Sequence, residues 1–255
     1  MSVHAVVNEA GSAGKTTTAV TLAALMAEAN RRTLLWDNDP QGNATLFAGV
    51  NPMDGKTVAE VLVGERALDE VMVESVVPNL YVVPSNRTLH GAVVQLTRSF
   101  GGEQKIRKTL DSVLSDFASI IIDCPGAAGL LTIAGLVAAD DVIAVATPTL
   151  KELEGLPNLE RTIGEVNDAF DRRLRLAAVV PCNVPPASAG NLYVEGQEQL
   201  RTAYGDLVTP PVRRSVRVPE AYSQRMPLTA HAPMEQVTAD YQAVYDYLAG
   251  RKVLP

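Results

Sequence analysis

A glycine-rich run that ends in a lysine occupies residues 8–17, Asn-Glu-Ala-Gly-Ser-Ala-Gly-Lys-Thr-Thr. It follows an apolar, strand-like stretch and precedes a stretch with helical apolar spacing. Loops of this layout hold phosphate, because their backbone N–H groups point inward and the lysine adds positive charge. A hydroxyl beside the lysine can ligate Mg²⁺, and the dipole of the following helix attracts the same anion. The run therefore predicts a nucleoside triphosphate site.

The run departs from the general phosphate-loop pattern, since Glu9 stands where that pattern has a glycine. The shorter pattern also occurs in loops that bind nothing, so the neighbouring strand and helix carry much of the inference. The loop residues predicted to bind nucleotide are Gly11, Ser12, Ala13, Gly14, Lys15, Thr16 and Thr17.

Carboxylates follow two other apolar runs. Asp37 and Asp39 stand at positions i and i+2 in Asp-Asn-Asp-Pro-Gln-Gly-Asn, where a carboxylate could orient an attacking water. The same residues are good turn formers, and alone they favour a polar turn. The run Ile120–Ile122 delivers Asp123 at its tip, in the form of a Walker B element whose Asp holds Mg²⁺ through water. Each signal is weak alone, and the three together indicate a nucleotide-hydrolysing site.

Composition narrows the class of protein. The 255 residues carry a net charge of -7, which disfavours a protein that coats nucleic acid through overall attraction. No Ser/Gly- or Pro-rich linker divides the chain, so we expect a single domain over residues 1–255. Cys124 and Cys182 fit a reduced protein without a disulfide framework. Without a signal sequence or an apolar span, we expect a cytoplasmic protein.

Strand-like and helix-like segments alternate along the chain. The apolar runs are continuous, as in parallel strands that are covered on both faces. We therefore predict an α/β fold, a doubly wound, mostly parallel sheet with helices on both faces, with ligands at the carboxyl ends of the strands. The predicted strands are 3–7, 32–36, 80–83, 119–122, 142–146 and 176–180, and the predicted helices are 17–30, 58–62, 103–117, 130–138, 156–172 and 193–204.

These motifs resemble the ParA/MinD family of deviant-Walker ATPases, and most of all its ParA branch. The resemblance covers nearly the whole chain. Its most specific part is Asp-Pro-Gln-Gly-Asn-Ala-Thr at 39–45. It also includes the loop at 8–18, Pro84-Ser85-Asn86, the stretch 121–132, Leu153 to Leu156, and Val216-Arg217 with Glu220-Ala221.

The resemblance implies roles for single residues. Lys15 would contact the phosphates, Thr17 would support the α-phosphate, and Asp39 would position the hydrolytic water. Mg²⁺ would be held by Thr16, with Asp37 and Asp123 near its hydration shell. ATP would drive formation of a homodimer that binds DNA without sequence preference. An adaptor or centromere-binding protein would stimulate hydrolysis and release the dimer from the nucleoid.

One departure from the family concerns charge. The family's signature lysine falls at Ala10 and its second glycine at Ser12. Phosphoryl transfer needs a cation to stabilise developing charge, and Lys151, just after the strand 142–146, is our catalytic candidate to supply it. A solvated lysine is the alternative. Because McdA-type proteins that distribute carboxysomes also lack that lysine, the cargo could be a protein organelle or plasmid or chromosomal DNA.

Five arginines between residues 201 and 225 face only two acidic residues in that span. The predicted DNA contacts are Arg201, Arg213, Arg214 and Arg217, and Arg214 is also counted among the nucleotide contacts with Asp37 and Asp123. A solvated arginine face is the alternative. Two other functions stay open, a MinD-type positioner that cycles on membranes and a nucleotide-bound scaffold with negligible turnover. The C-terminal tail is expected to be too short for a membrane anchor, and no operator-binding domain is expected before the first strand.

Overall fold

A mostly parallel sheet of seven strands forms the centre of the computed structural model, which describes residues 2–8, 14–127, 129–186, 188 and 191–255, without the side chains of 150 and 151. The strands lie in the order β3-β4-β2-β5-β1-β6-β7, and only β3 pairs antiparallel. Their bounds are β1 Ser2–Val7, β2 Thr33–Asp37, β3 Val73–Glu74, β4 Leu80–Val83, β5 Ser119–Asp123, β6 Asp141–Ala146 and β7 Arg175–Pro181.

Helices cover both faces of this sheet, which confirms the predicted fold class. In β1, Ala5 belongs to the apolar cluster on one face and Val6 to the cluster on the other. This division explains why the strands are apolar at every position rather than at alternate ones. The helices are α1 Lys15–Glu28, α2 Asn43–Phe47, α3 Val58–Val63, α4 Leu89–Thr97, α5 Lys105–Leu110, α6 Leu130–Ala138, α7 Leu150–Leu153, α8 Gly155–Phe170, α9 Asn191–Tyr204, α10 Arg217–Ser223, α11 Leu228–His231 and α12 Gln236–Gly250.

The helix predicted over residues 103–117 was wrong as one element. The segment divides into a 3₁₀ turn at Gly102–Gln104, α5 and a second 3₁₀ turn at Leu114–Asp116. Ile106, Leu110, Val113 and Phe117 in this segment are buried. The apolar spacing therefore indicated which residues face the core, but it did not indicate where the helix breaks. Among the described residues, no helix is both long and apolar enough to cross a membrane.

The strand register brings the predicted carboxylates together. Asp37, the last residue of β2, is paired directly with Asp123, the last residue of β5. Asp123 is also paired with Val6, near the end of β1, from which the glycine-rich run departs. Because parallel strands end at one edge of the sheet, the phosphate-loop lysine and the carboxylates share that edge.

Candidate nucleotide-binding site

The start of α1 carries the described part of the phosphate loop. Gly14 has a left-handed backbone, with φ at 96°, and a Cβ there would lie 3.4 Å from the Cβ of Cys182. Lys15 is 9% exposed, and its ammonium lies 3.1 Å from where a Cβ on Gly126 would be. The lysine therefore extends across the loop that follows β5. The predicted contacts Gly11, Ser12 and Ala13, together with Ala10, lie outside the described residues.

Asp123 faces the first turn of α1. Its Oδ2 accepts a hydrogen bond of 2.9 Å from Thr16 Oγ1, and its buried Oδ1 has no hydrogen-bond partner among the described residues. Burial raises the pKa of Asp123 well above its usual value, and the nearby charge of Asp37 raises it further. The positive charge of Lys15 acts in the opposite direction. A second cation at this carboxylate would relieve the repulsion.

Asp37 is fully buried and already well bonded. Its Oδ2 accepts hydrogen bonds from the backbone N–H (2.8 Å) and the hydroxyl (2.6 Å) of Thr45, and its Oδ1 accepts from the N–H of Asp39 at 3.1 Å. Burial raises the pKa of Asp37 to about 6, although the bonds from Thr45 oppose the shift. Both oxygens of Asp37 are engaged, so the orphaned Oδ1 of Asp123 is the better placed acceptor for a new ligand.

Asp39, the predicted water-positioning residue, is half-buried in the loop that leaves β2. Its Oδ1 accepts a hydrogen bond of 2.9 Å from the N–H of Gln41, so the expected turn chemistry is present. The charge of Asp39 raises the pKa of both Asp37 and Asp123, which shows that the three carboxyl groups are neighbours. The loop that leaves β2 therefore forms the expected turn and also brings Asp39 close to the carboxylates at the ends of β2 and β5.

The donors at this edge fit Mg²⁺. They are oxygen atoms, and one of them is a buried carboxylate oxygen without a partner. No group of three or more His, Cys, Asp or Glu side chains in the described ranges could hold a metal alone, which suits an ion that takes its other ligands from phosphate and water. Thr16 and Asp123 would hold it, with Asp37 behind them. The ion would neutralise charge on the phosphate oxygens.

A cleft of about 230 Å³ opens beside Gly14 and Thr17. Asn183 and Ser215 provide polar groups to it, and Val218 and Pro219 provide apolar surface. A cleft of this character next to the phosphate loop could hold the nucleoside part of a nucleotide. Sequence reasoning missed Asn183 and Ser215, because neither lies in a motif and both reach the site only through the fold.

Two of the predicted DNA contacts already have carboxylate partners. Arg213 donates to Asp240 at 2.6 and 2.9 Å, and Arg217 donates to Glu235 at 3.0 Å and to Glu220 at 2.9 Å. Asp240 and Glu235 lie outside the span 201–225 and were not counted in its charge. The excess of positive charge expected for this span is therefore smaller in the folded protein.

Arg201 and Arg214 are both exposed, and no carboxylate among the described residues forms an ion pair with either. Arg214 lines a groove of about 580 Å³ with Pro185 and Pro211. Arg213 lines this groove too, and it also lines the cleft beside Gly14 together with Ser215. The structure thus places Arg214 beside the cleft rather than in its lining, and its availability to DNA is greater than that of Arg213.

Lys151 lies in the short helix α7, which follows β6 at the same edge of the sheet. The next residue, Glu152, accepts a hydrogen bond of 3.0 Å from the N–H of Thr147 and so fixes the helix to the end of β6. The side chain of Lys151 is outside the described part, so its predicted role stays a prediction.

A parallel sheet with a lysine at the start of the first helix and carboxylates at neighbouring strand ends defines a P-loop nucleotide-binding protein. Residues 1–176 match a family model described as an AAA domain. The chain is 33% identical over 226 residues to the chromosome-partitioning ATPase Soj of Treponema pallidum, with 88% of each protein covered. The chain belongs to the ParA/MinD family of P-loop ATPases.

Solved structures show the same fold. Apo McdA from Cyanthece superposes with a TM-score of 0.88 at 22% identity, covering 97% of this chain and 99% of that one. A cobyrinic acid a,c-diamide synthase from Mycobacterium smegmatis, with bound ADP and magnesium, has a TM-score of 0.84 at 28% identity and covers 99% and 96%.

Proposed function

We propose that this protein is a partition or positioning ATPase that hydrolyses ATP to ADP and phosphate with Mg²⁺. In this proposal ATP drives a homodimer onto nucleoid DNA without sequence preference, and an adaptor or centromere-binding protein stimulates hydrolysis and releases it. The transported cargo is DNA or a protein organelle.

The proposal rests mainly on the register pair of Asp37 with Asp123, which sets two carboxylates beside Lys15 and Thr16. Lys15 would bind the phosphates from one side, and Asp123 and Thr16 would hold Mg²⁺ on the other. Asp39 would accept a hydrogen bond from the attacking water and orient it, since its carboxylate is half-buried and next to the cluster. The partition activity in the name of the Treponema relative supports the cellular role.

The test is the substitution Asp39→Ala. We expect the variant to bind Mg-ATP as tightly as the wild type and to hydrolyse it at least about 100-fold more slowly, because a positioned general base contributes about 10²–10⁴-fold. Single-turnover hydrolysis with DNA present measures the rate, and a fluorescent ATP analogue measures binding. Equal hydrolysis by both proteins would exclude this role of Asp39.

The alternative is a scaffold that binds nucleotide with negligible turnover. The alanine at position 10, where the family has its signature lysine, favours it. The same single-turnover measurement decides between the two, because a scaffold leaves bound ATP intact in the wild type as well as in the variant.

A further inference from the structure

We propose that Ser85, acting with Thr45, is a positioning residue that holds Asp37 and Asp39 in their working arrangement. The inference rests on the proposed ATPase activity and names residues outside the carboxylate cluster that the activity requires. Ser85 lies between β4 and α4, at the same edge of the sheet as the β2 loop, and it is fully buried.

Ser85 binds the β2 loop through two of its groups. Its hydroxyl donates a hydrogen bond of 2.8 Å to the backbone carbonyl oxygen of Asp39. Its backbone N–H donates one of 2.8 Å to Thr45 Oγ1, which in turn donates one of 2.6 Å to Asp37 Oδ2. Ser85 therefore contacts Asp39 directly, at its backbone carbonyl, and contacts Asp37 indirectly, through the hydroxyl of Thr45, which we call the Thr45 relay.

A glycine in the β2 loop also allows the loop to pack closely against Ser85. Gly42 has φ at 66°, and a Cβ there would lie 2.6 Å from the carbonyl oxygen of Ser85. The segment that carries Ser85 is itself bonded to α3, because the N–H of Val58 donates a hydrogen bond of 2.8 Å to the carbonyl oxygen of Pro84. Ser85 is thus a point of attachment between a well-anchored turn and the loop that carries Asp39.

A loop carboxylate that orients water must be held within a fraction of an ångström, since a misplacement of about 1 Å can cost about 100-fold in rate. The turn bond from Gln41 to Asp39 is local and moves with the loop. The bonds to Ser85 connect the loop to the neighbouring strand and so fix it relative to the sheet. Asp123 lies in the sheet and Lys15 in α1. The bonds to Ser85 therefore determine the position of Asp39 relative to these two residues.

The experiment compares Ser85→Ala with Ser75→Ala. Ser75 is a matched control because it too is buried and its hydroxyl donates 2.6 Å to a backbone carbonyl, that of Ala48, away from the carboxylates. We expect Ser85→Ala to lower kcat about 10- to 100-fold with affinity for a fluorescent ATP analogue within about twofold of the wild type. Ser75→Ala should lose similar thermal stability while keeping kcat.

A second pair of variants tests the relay at Thr45. Thr45→Val keeps the shape but removes the hydroxyl, and it should lower kcat. Thr45→Ser keeps the hydroxyl and should restore most of it, which a purely structural role for the methyl group would not produce. Equal kcat in Ser85→Ala and Ser75→Ala would overturn the inference while leaving the ATPase proposal intact. A wild type that binds Mg-ATP without hydrolysing it would overturn both.

Discussion

Thr16 Oγ1 and Asp123 Oδ2 are joined by a hydrogen bond of 2.9 Å, which ties the first turn of α1 to the end of β5. The same two residues are the proposed holders of Mg²⁺, for which the unpartnered Oδ1 of Asp123 is the open acceptor. The Thr16 hydroxyl lowers the pKa of Asp123 and so partly offsets the effects of burial and of the Asp37 charge, which raise it. Mg²⁺ bound at this edge would supply a positive charge beside Asp37 and Asp123, two buried carboxylates that the strand register already brings together.

This arrangement predicts the behaviour of Asp123→Asn. Metal affinity should fall about 10- to 100-fold, so that Mg²⁺ strengthens ADP binding much less than in the wild type. Without nucleotide, the variant should be at least as stable as the wild type, because a buried like charge is removed. Calorimetric titration of ADP with and without EDTA measures the first effect and thermal melting the second. Asp116→Asn, at an exposed carboxylate, is the control, and an unchanged Mg²⁺ effect would contradict the assignment.

The close approach of Gly42 to Ser85 predicts a difference between two glycine substitutions. Gly64 also has a positive φ, 83°, but nothing lies within 4 Å of a Cβ there. Gly64→Ala should cost about 1 kcal/mol for its backbone conformation, and Gly42→Ala about 1–3 kcal/mol more because of the clash. Urea denaturation measures both free energies of unfolding, and equal losses would show that the loop yields at Ser85.

Arg214, which forms no ion pair with a carboxylate among the described residues, predicts where DNA binding is most sensitive. Arg214→Glu should weaken the ATP-dependent mobility shift of a DNA duplex and lower the slope of log affinity against log salt by about one or more. Arg98→Glu makes the same charge change at an exposed arginine on a different helix end and should have little effect. Binding that is independent of nucleotide would argue against an ATP switch.

The departure at Ala10 gives a prediction for Lys151. If Lys151 supplies the missing cation, Lys151→Ala should reduce hydrolysis by at least about tenfold, a small part of the about 10³–10⁵ that a trans cation can contribute. ATP-dependent dimerisation, followed by size-exclusion chromatography, should weaken in parallel. Lys108→Ala, at an exposed lysine on α5, should behave as the wild type, and wild-type behaviour of Lys151→Ala would discard the role.

His4 predicts a loss of stability in acid. It is fully buried in β1, and its Nε2 is bonded to Ser2 Oγ at 2.8 Å. Its Nδ1 has no hydrogen-bond partner among the described residues and lies 3.9 Å from Asp141 Oδ2. Burial lowers its pKa from 6.5 to about 4, with Asp141 opposing the shift. The unfolded chain therefore binds more protons between these values, so stability falls as the pH decreases from about 6.5 to 4, by up to about 3 kcal/mol.

His4→Gln removes this titration. The free energy of unfolding of the wild type relative to the variant should fall by up to about 3 kcal/mol as the pH decreases from about 6.5 to 4. Denaturant unfolding at each pH measures this difference. Asp37 has a raised pKa of about 6 and works in the opposite direction, but it is present in both proteins and cancels in the difference. A constant difference would show that His4 titrates normally.

The sequence was enough for six of the seven strands, because a strand buried on both faces must be apolar at every position. The prediction did not include β3, whose two residues are exposed. It placed the end of β2 at Trp36, whereas the strand continues through Asp37. Apolar pattern cannot reveal a buried carboxylate whose donors come from Thr45, eight residues later. The predicted helices also did not include α2, α10 or the longer α12.

Side-chain partners that are distant in the sequence could not be predicted either. Asp240 neutralises Arg213 from 27 residues away, so counting charges within one span overestimated the basic patch. Asn183 and Ser215 approach Gly14 only because β7 lies two strands from β1 in the finished sheet. The motifs predicted a phosphate and Mg²⁺ site, whereas the neighbouring cleft, our candidate for the nucleoside, became visible only in the fold.

The position of β1 in the middle of the sheet determines how its amide hydrogens exchange with solvent. The strand lies between β5 and β6, and Val3 to Val7 are buried. Amide hydrogens in such a strand exchange with solvent only when the whole sheet opens, whereas those of an edge strand such as β3 exchange through local fraying. The strand from which the predicted phosphate loop departs should therefore stay folded for as long as the native state does, and the proposed cycles of ATP hydrolysis would leave it intact.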